Sequence, residues 1–136
     1  MNSTAEMWGP PLQGAHDAAW TWKALPAMSV ECRGCKGCVL SDGRFAALDG
    51  QRNYSITSSC EALSLGHDGD WEPLPPMHDS RGLFVCAAVA GCVIVAGGYQ
   101  HRESAEVFDE VLGRWLRLPC DLPRAGRLAG MGSTLL

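Results

Sequence analysis

At 136 residues the chain has the length of one ordinary domain, and its 46% hydrophobic and 19% charged content suits a packed globular protein rather than a disordered one. A net charge of −4 gives none of the basic footprint expected for binding nucleic acid or an anionic membrane surface. The longest apolar stretch, Leu83 to Ala96, is shorter than the roughly 18 residues of a membrane helix and is interrupted by Gly91.

A repeat underlies the sequence. Trp-x-x-Leu-Pro occurs at Trp22 to Pro26, Trp71 to Pro75 and Trp115 to Pro119, which places the tryptophans 49 and 44 residues apart. Gly43 to Gly50 lies over Gly91 to Gly98 at an offset of 48, and Arg33-Gly34 lies over Arg81-Gly82 at the same offset. Ala105-Glu106-Val107-Phe108 has counterparts in Cys60-Glu61-Ala62-Leu63 and Ala5-Glu6-Met7-Trp8.

Residues 1–28 read as the second half of a unit, with an expanded turn from Gly9 to Gly14. Residues 29–77 form a complete unit. Its first two strands flank the Asp42-Gly43 turn, the third is expected over Ser55 to Leu65, and the fourth over Trp71 to Leu74. Pro73, Pro75 and Pro76 suit an outer strand, because proline donates nothing to a ladder. Residues 78–122 form a second complete unit. Leu83 to Val89 and Cys92 to Ala96 are almost continuously apolar, which predicts strands covered on both faces, and Val93-Ile94-Val95 favours strand over helix. From Pro123 the pattern restarts, so residues 123–136 are expected to begin a further unit.

Units of this length, with four short strands, the double glycine of Val95-Ala96-Gly97-Gly98, then Ser104 to Asp109 and Gly113-Arg114-Trp115, resemble the kelch repeat. The resemblance implies an all-β fold of β-propeller blades, each a four-stranded antiparallel sheet packed face to face with its neighbours. Propellers close with about 4 to 8 blades. Two complete units and two partial ones therefore imply an open or partial propeller: part of a larger one, a truncated product, or a subunit closed by association. Gly50, Gly97, Gly98, Trp22, Trp71 and Trp115 are the structural repeat positions. The glycines allow close backbone approach or positive φ, and the tryptophans suit the seam between sheets. Arg33, Arg81 and Arg124 recur at the entry to each first strand, where a structural hydrogen bond to a neighbouring loop is expected.

Candidate chemistry is sparse. Cys32-x-x-Cys35-x-x-Cys38 has part of the spacing of a metal site, but Cys38 falls on the strand position Cys86 in the repeat, which favours buried or loop thiols. His16-Asp17, His67-Asp68 and His78-Asp79 fit turns and loops. There is no nucleophile elbow, phosphate loop or dinucleotide fingerprint. Neither a catalytic centre nor a metal or other cofactor is expected. The start of the chain lacks the pattern of a secretory signal, and seven cysteines then point to reduced thiols in the cytoplasm or nucleus.

The most promising surface is the loop set after each glycine position: Gln51, Arg52, Asn53 and Tyr54, then Tyr99, Gln100, His101 and Arg102. In a propeller these would align on one rim, and Tyr and Arg are frequent interface anchors. A non-catalytic module binding a protein partner is the expected function, with neither nucleic acid nor membrane as partner. The repeats are similar to those of F-box/kelch and BTB/kelch ubiquitin-ligase adaptors, which implies substrate recognition. The alternative is a fragment of a kelch-propeller enzyme, an oxidase or a sugar mutarotase.

Overall fold

The computed structural model describes residues 4–9, 19–31, 33–48, 50–64, 69–101, 103–119 and 121–122. The expanded turn after Gly9, the pairs His16-Asp17 and His67-Asp68, Cys32, Arg102, Arg124 and the unit expected over 123–136 lie outside them.

All described elements are strands. β1 (Ala5–Gly9) and β2 (Thr21–Leu25) form an antiparallel pair in which Trp8 faces Trp22 across the ladder. β3 (Lys36–Val39) and β4 (Phe45–Leu48) flank the turn at Asp42-Gly43, where the Asp42 carboxylate accepts the Arg44 backbone N–H and Gly43 takes a φ of 87°. β5 (Gln51–Arg52) and β6 (Ser55–Ile56) make a small separate hairpin, after which β7 (Cys60–Leu63) and β8 (Trp71–Leu74) complete a four-stranded sheet ordered β3-β4-β7-β8. β9 (Val85–Val89), β10 (Cys92–Ala96), β11 (Ala105–Asp109) and β12 (Arg114–Arg117) form the second four-stranded meander. Both are antiparallel throughout, so the all-β class and the blade-like sheets expected from the repeat are present.

The third strand of the first unit is shorter than the sequence suggests. Ser55 and Ile56 pair with Arg52 and Gln51 instead of joining the sheet. Between that hairpin and β7 the backbone turns to other partners: Thr57 N–H donates to Gly50 O, and Ser58 O accepts from Met77 N–H. In the second unit, Leu83 lies outside β9 with a φ of 55°.

The two four-stranded sheets share one core. Leu40, Ala46, Leu48, Cys60 and Ala62 of the first pack against Phe84, Cys86, Val93, Val95, Phe108 and Trp115 of the second. The opposite face of the first sheet carries Phe45, Ala47, Leu63 and Trp71, which meet Ala5, Leu25 and Met28. Ala46 and Ala47 are neighbours in β4 yet belong to different clusters, as the period-two alternation of a strand requires. Each fully buried Leu, Val or Phe contributes on the order of 1.5–3 kcal/mol by leaving water.

β4 is covered on both faces, whereas the coverage expected of β9 and β10 is incomplete: Val89 at the end of β9 is 41% exposed, and β10 is open on one face. Val93 and Val95 are buried while Ile94 between them is 37% exposed, because no described element lies on that side of the last sheet.

Candidate functional site

The strand ends organise two rims. On one rim, each strand that precedes a glycine position runs into a loop pinned beside the Arg-Gly segment that enters the same sheet. Gln51 N–H donates to Arg33 O at 3.0 Å and Arg33 N–H to Gln51 O at 2.9 Å, while Tyr99 N–H donates to Gly82 O at 3.1 Å. The glycines permit this crossing. A Cβ on Gly50 would stand 2.7 Å from Gly34 O, closer than real atoms approach. Gly98 adopts a φ of 112°, and a Cβ there would stand 3.2 Å from Gly82 O. The repeat positions Gly50 and Gly98 therefore serve the close approach expected of them, and Gly97 adds a φ of 71°.

Between the two pinned loops lies a groove of about 280 Å³, lined by Arg33, Gly34, Gln51, Ile56, Gly82, Leu83 and Tyr99. Ile56, Leu83 and the Tyr99 ring supply apolar surface, and Arg33 supplies the only charge among the lining residues. The Arg33 side chain is exposed and finds no ion-pair partner among the described residues.

The rim residues expected from sequence divide into three groups. Gln51 and Tyr99 line the groove. Arg52, Asn53 and Tyr54 occupy the tip of the β5–β6 hairpin rather than the groove lining; Asn53 and Tyr54 both have positive φ, 44° and 67°, the backbone of a tight hairpin turn. Asn tolerates that conformation, whereas Tyr rarely adopts it, and the Tyr54 ring is 88% exposed. Gln100 and His101 are drawn into the supporting structure. Ser80 Oγ donates to Gln100 Oε1 at 3.3 Å, and His101 O accepts from Arg81 at 3.4 Å. Arg33, Gly34, Ile56, Gly82 and Leu83 were not expected at the site, although Arg33-Gly34 and Arg81-Gly82 were visible as a recurring pair.

Beneath this rim Arg81 is wholly buried. Its guanidinium donates to Glu106 Oε2 through Nε at 3.2 Å and Nη2 at 3.0 Å, to Asp79 Oδ2 at 3.3 Å, to Ser104 Oγ at 2.8 Å, and to the carbonyls of Gly97 at 2.8 Å and Ser104 at 2.9 Å. Glu106 is also buried and accepts the backbone N–H groups of His78 at 2.7 Å and Asp79 at 3.2 Å. Arg117 pairs with the remaining Asp79 oxygen at 2.8 Å. A buried cation with every donor direction occupied is a structural bolt. The hydrogen bonding expected of the repeated arginines is thus present at Arg81. At Arg33 the backbone makes the loop contact, and its exposed side chain has no hydrogen-bond partner among the described residues. His78-Asp79 belongs to the same support, with His78 Nε2 3.0 Å from Trp115 O.

The opposite rim carries a second hollow of about 300 Å³ near Ser41, Arg44, Leu74 and Glu110. Ser41 closes it by donating its backbone N–H at 2.9 Å and its hydroxyl to Glu110 Oε2. The Arg44 backbone N–H, then its side chain, holds the Asp42 carboxyl below the usual carboxylate range.

Cys38, Cys86 and Cys92 are free thiols. Cys38 is half-buried in the shared core against Cys86, and the Cys86 thiol holds its pKa below the ordinary thiol value. The same contact, with burial, pushes Cys86 up. Among the described residues no group of three or more His, Cys, Asp or Glu side chains is placed to hold a metal ion. No described helix is long and apolar enough to cross a membrane.

No protein-family model and no curated protein matches the chain. Among solved structures, a fungal alcohol oxidase of the AA5 family in complex with copper is similar, with a TM-score of 0.67 and 15% identity over 88% of this chain. The chain spans 28% of the length of that oxidase. At this identity the likeness is one of fold. The described residues do not fit a copper centre, since they bring no sufficient set of ligands together.

Proposed function

We propose that the chain is a non-catalytic, kelch-type protein-interaction module that receives a peptide segment of its partner on the rim beside Tyr99. The carrying observation is the groove itself: loops from two successive sheets converge there, with one arginine that has no ion-pair partner among the described residues, one tyrosine and two aliphatic side chains in the lining. That combination favours a segment offering a carboxylate to Arg33 and an apolar side chain to Leu83, Ile56 and Tyr99, with Tyr54 on the adjacent hairpin as a further anchor. Substrate recognition for a ubiquitin ligase is the use that similar modules serve, and here it rests on that resemblance.

Selection from a displayed peptide library tests the proposal. Selected peptides should be enriched in acidic residues next to apolar ones, and Arg33→Ala and Tyr99→Ala should each weaken their capture by tenfold or more while the fold persists. Capture unchanged in both variants would remove this rim from the function.

The likeness to a copper oxidase favours one second reading, a fragment of a propeller enzyme. Stoichiometric copper in the purified protein, or saturable carbohydrate binding insensitive to both variants, would select it over the peptide-binding module.

A further inference from the structure

Two stacking interfaces among the described residues use the same chemistry twice, and the outermost described sheets present its two halves. Trp71 Nε1 donates to Pro26 O at 2.8 Å, and Trp115 Nε1 donates to Pro75 O at 2.8 Å. In both cases the tryptophan of one sheet hooks onto the proline that ends the preceding Trp-x-x-Leu-Pro. Both rings are buried, at 8% and 4% exposure. The leucines of the same motif point the other way: Leu25 packs toward Trp71, and Leu74 packs against the core shared with Trp115.

Trp22 is the third tryptophan of the series, but its ring is 63% exposed and its indole N–H has no acceptor among the described residues. Among the described rings it stacks on Trp8, with ring centroids 5.5 Å apart, as Trp115 stacks on Phe108 at 5.3 Å. At the far end of the stack, Leu118 and Ile94 are 42% and 37% exposed, and Pro119, the next proline of the series, is also exposed. One end therefore offers the tryptophan half of the interface. The other offers the leucine and proline half.

We propose that a second copy of this chain occupies the outer face of the β9–β12 sheet, its β1–β2 pair stacked there with Trp22 Nε1 donating to Pro119 O and its ring against Leu118 and Ile94. The occupant is a copy because each exposed half complements the other, with the register already realised twice inside the chain. Such a contact joins different surfaces of the two partners, so it either closes into a ring or grows into a filament. A propeller-like stack favours closure.

Light scattering after size-exclusion chromatography, over a wide concentration series, tests this with three proteins. The unmodified chain should form a discrete oligomer whose mass is a small multiple of 14.6 kDa. Trp22→Asp and Leu118→Asp should each be monomeric with an unchanged far-ultraviolet spectrum, since both side chains are exposed. Mixing the two variants should restore a dimer, because the intact Leu118 of one meets the intact Trp22 of the other. A monomeric unmodified chain at every concentration would overturn the proposal. So would an oligomer that survives both substitutions, or a mixture that stays monomeric. If Leu118→Asp fails to fold, Ile94→Asp addresses the same face.

Discussion

Arg33 and Arg81 occupy the same place in the repeat and have opposite fates. Arg81 is bolted to Glu106, Asp79 and three carbonyls in the interior, whereas Arg33 lies in solvent beside the groove. Removing the partner of a buried charge leaves that charge uncompensated, so Glu106→Ala should cost about 3–5 kcal/mol in denaturant unfolding. Arg33→Ala should stay within about 0.5 kcal/mol and act on binding alone. The thiols offer a second contrast. Because the Cys86 thiol lowers the pKa of Cys38, the folded state binds the Cys38 proton less tightly than the unfolded state does. That group's stabilising contribution is present above the unfolded thiol value and is lost as pH falls through the lowered one. Cys38 should be alkylated ahead of Cys86 at mildly alkaline pH, and Cys86→Ala should slow that reaction below that of an ordinary thiol, because burial and Glu110 then raise the Cys38 pKa unopposed, as mass spectrometry of a timed reaction would show. The recurrence of these residues was legible in the sequence. Which arginine would be buried was not, since that depends on Asp79 and Ser104 approaching one guanidinium from other segments of the chain.

At the scale of elements, the tryptophan hook is the unit of stacking. Trp115→Ala removes a buried ring and its hydrogen bond to Pro75, and should cost about 3–5 kcal/mol. Trp115→Phe keeps most of the ring and isolates the hydrogen bond, at about 1 kcal/mol. Thermal or denaturant unfolding of the two variants separates these contributions. The repeat located β4 by the Asp42-Gly43 turn, β10 by its apolar run, β11 by the recurring Ala105-Glu106 segment, and β8 and β12 by the Trp-x-x-Leu-Pro motif. It overextended the third strand of the first unit, where Ser55 and Ile56 fold back on Gln51 and Arg52 through a turn with two positive φ values. Asn53-Tyr54 lacks the glycine that usually announces such a turn. Leu83 likewise carries a positive φ in an apolar run that reads as strand.

Across the whole molecule, the repeat made the stack of sheets legible and left its ends ambiguous. A continuous apolar run in β10 reads as covered on both faces, but coverage depends on a neighbour that the run itself does not specify. The site was half legible for a related reason: the loops were visible as corresponding segments, while the groove also needs Arg33, Gly34, Gly82 and Leu83 from the strand entries. The central claim is the register by which each tryptophan hooks onto the preceding proline, and the five indole N–H groups report it directly. Hydrogen exchange of these signals by nuclear magnetic resonance, in dilute solution, should show Trp71 and Trp115 strongly protected and Trp8, Trp20 and Trp22 exchanging fast. Fast exchange at Trp71 or Trp115 would contradict the stacking of the sheets described here.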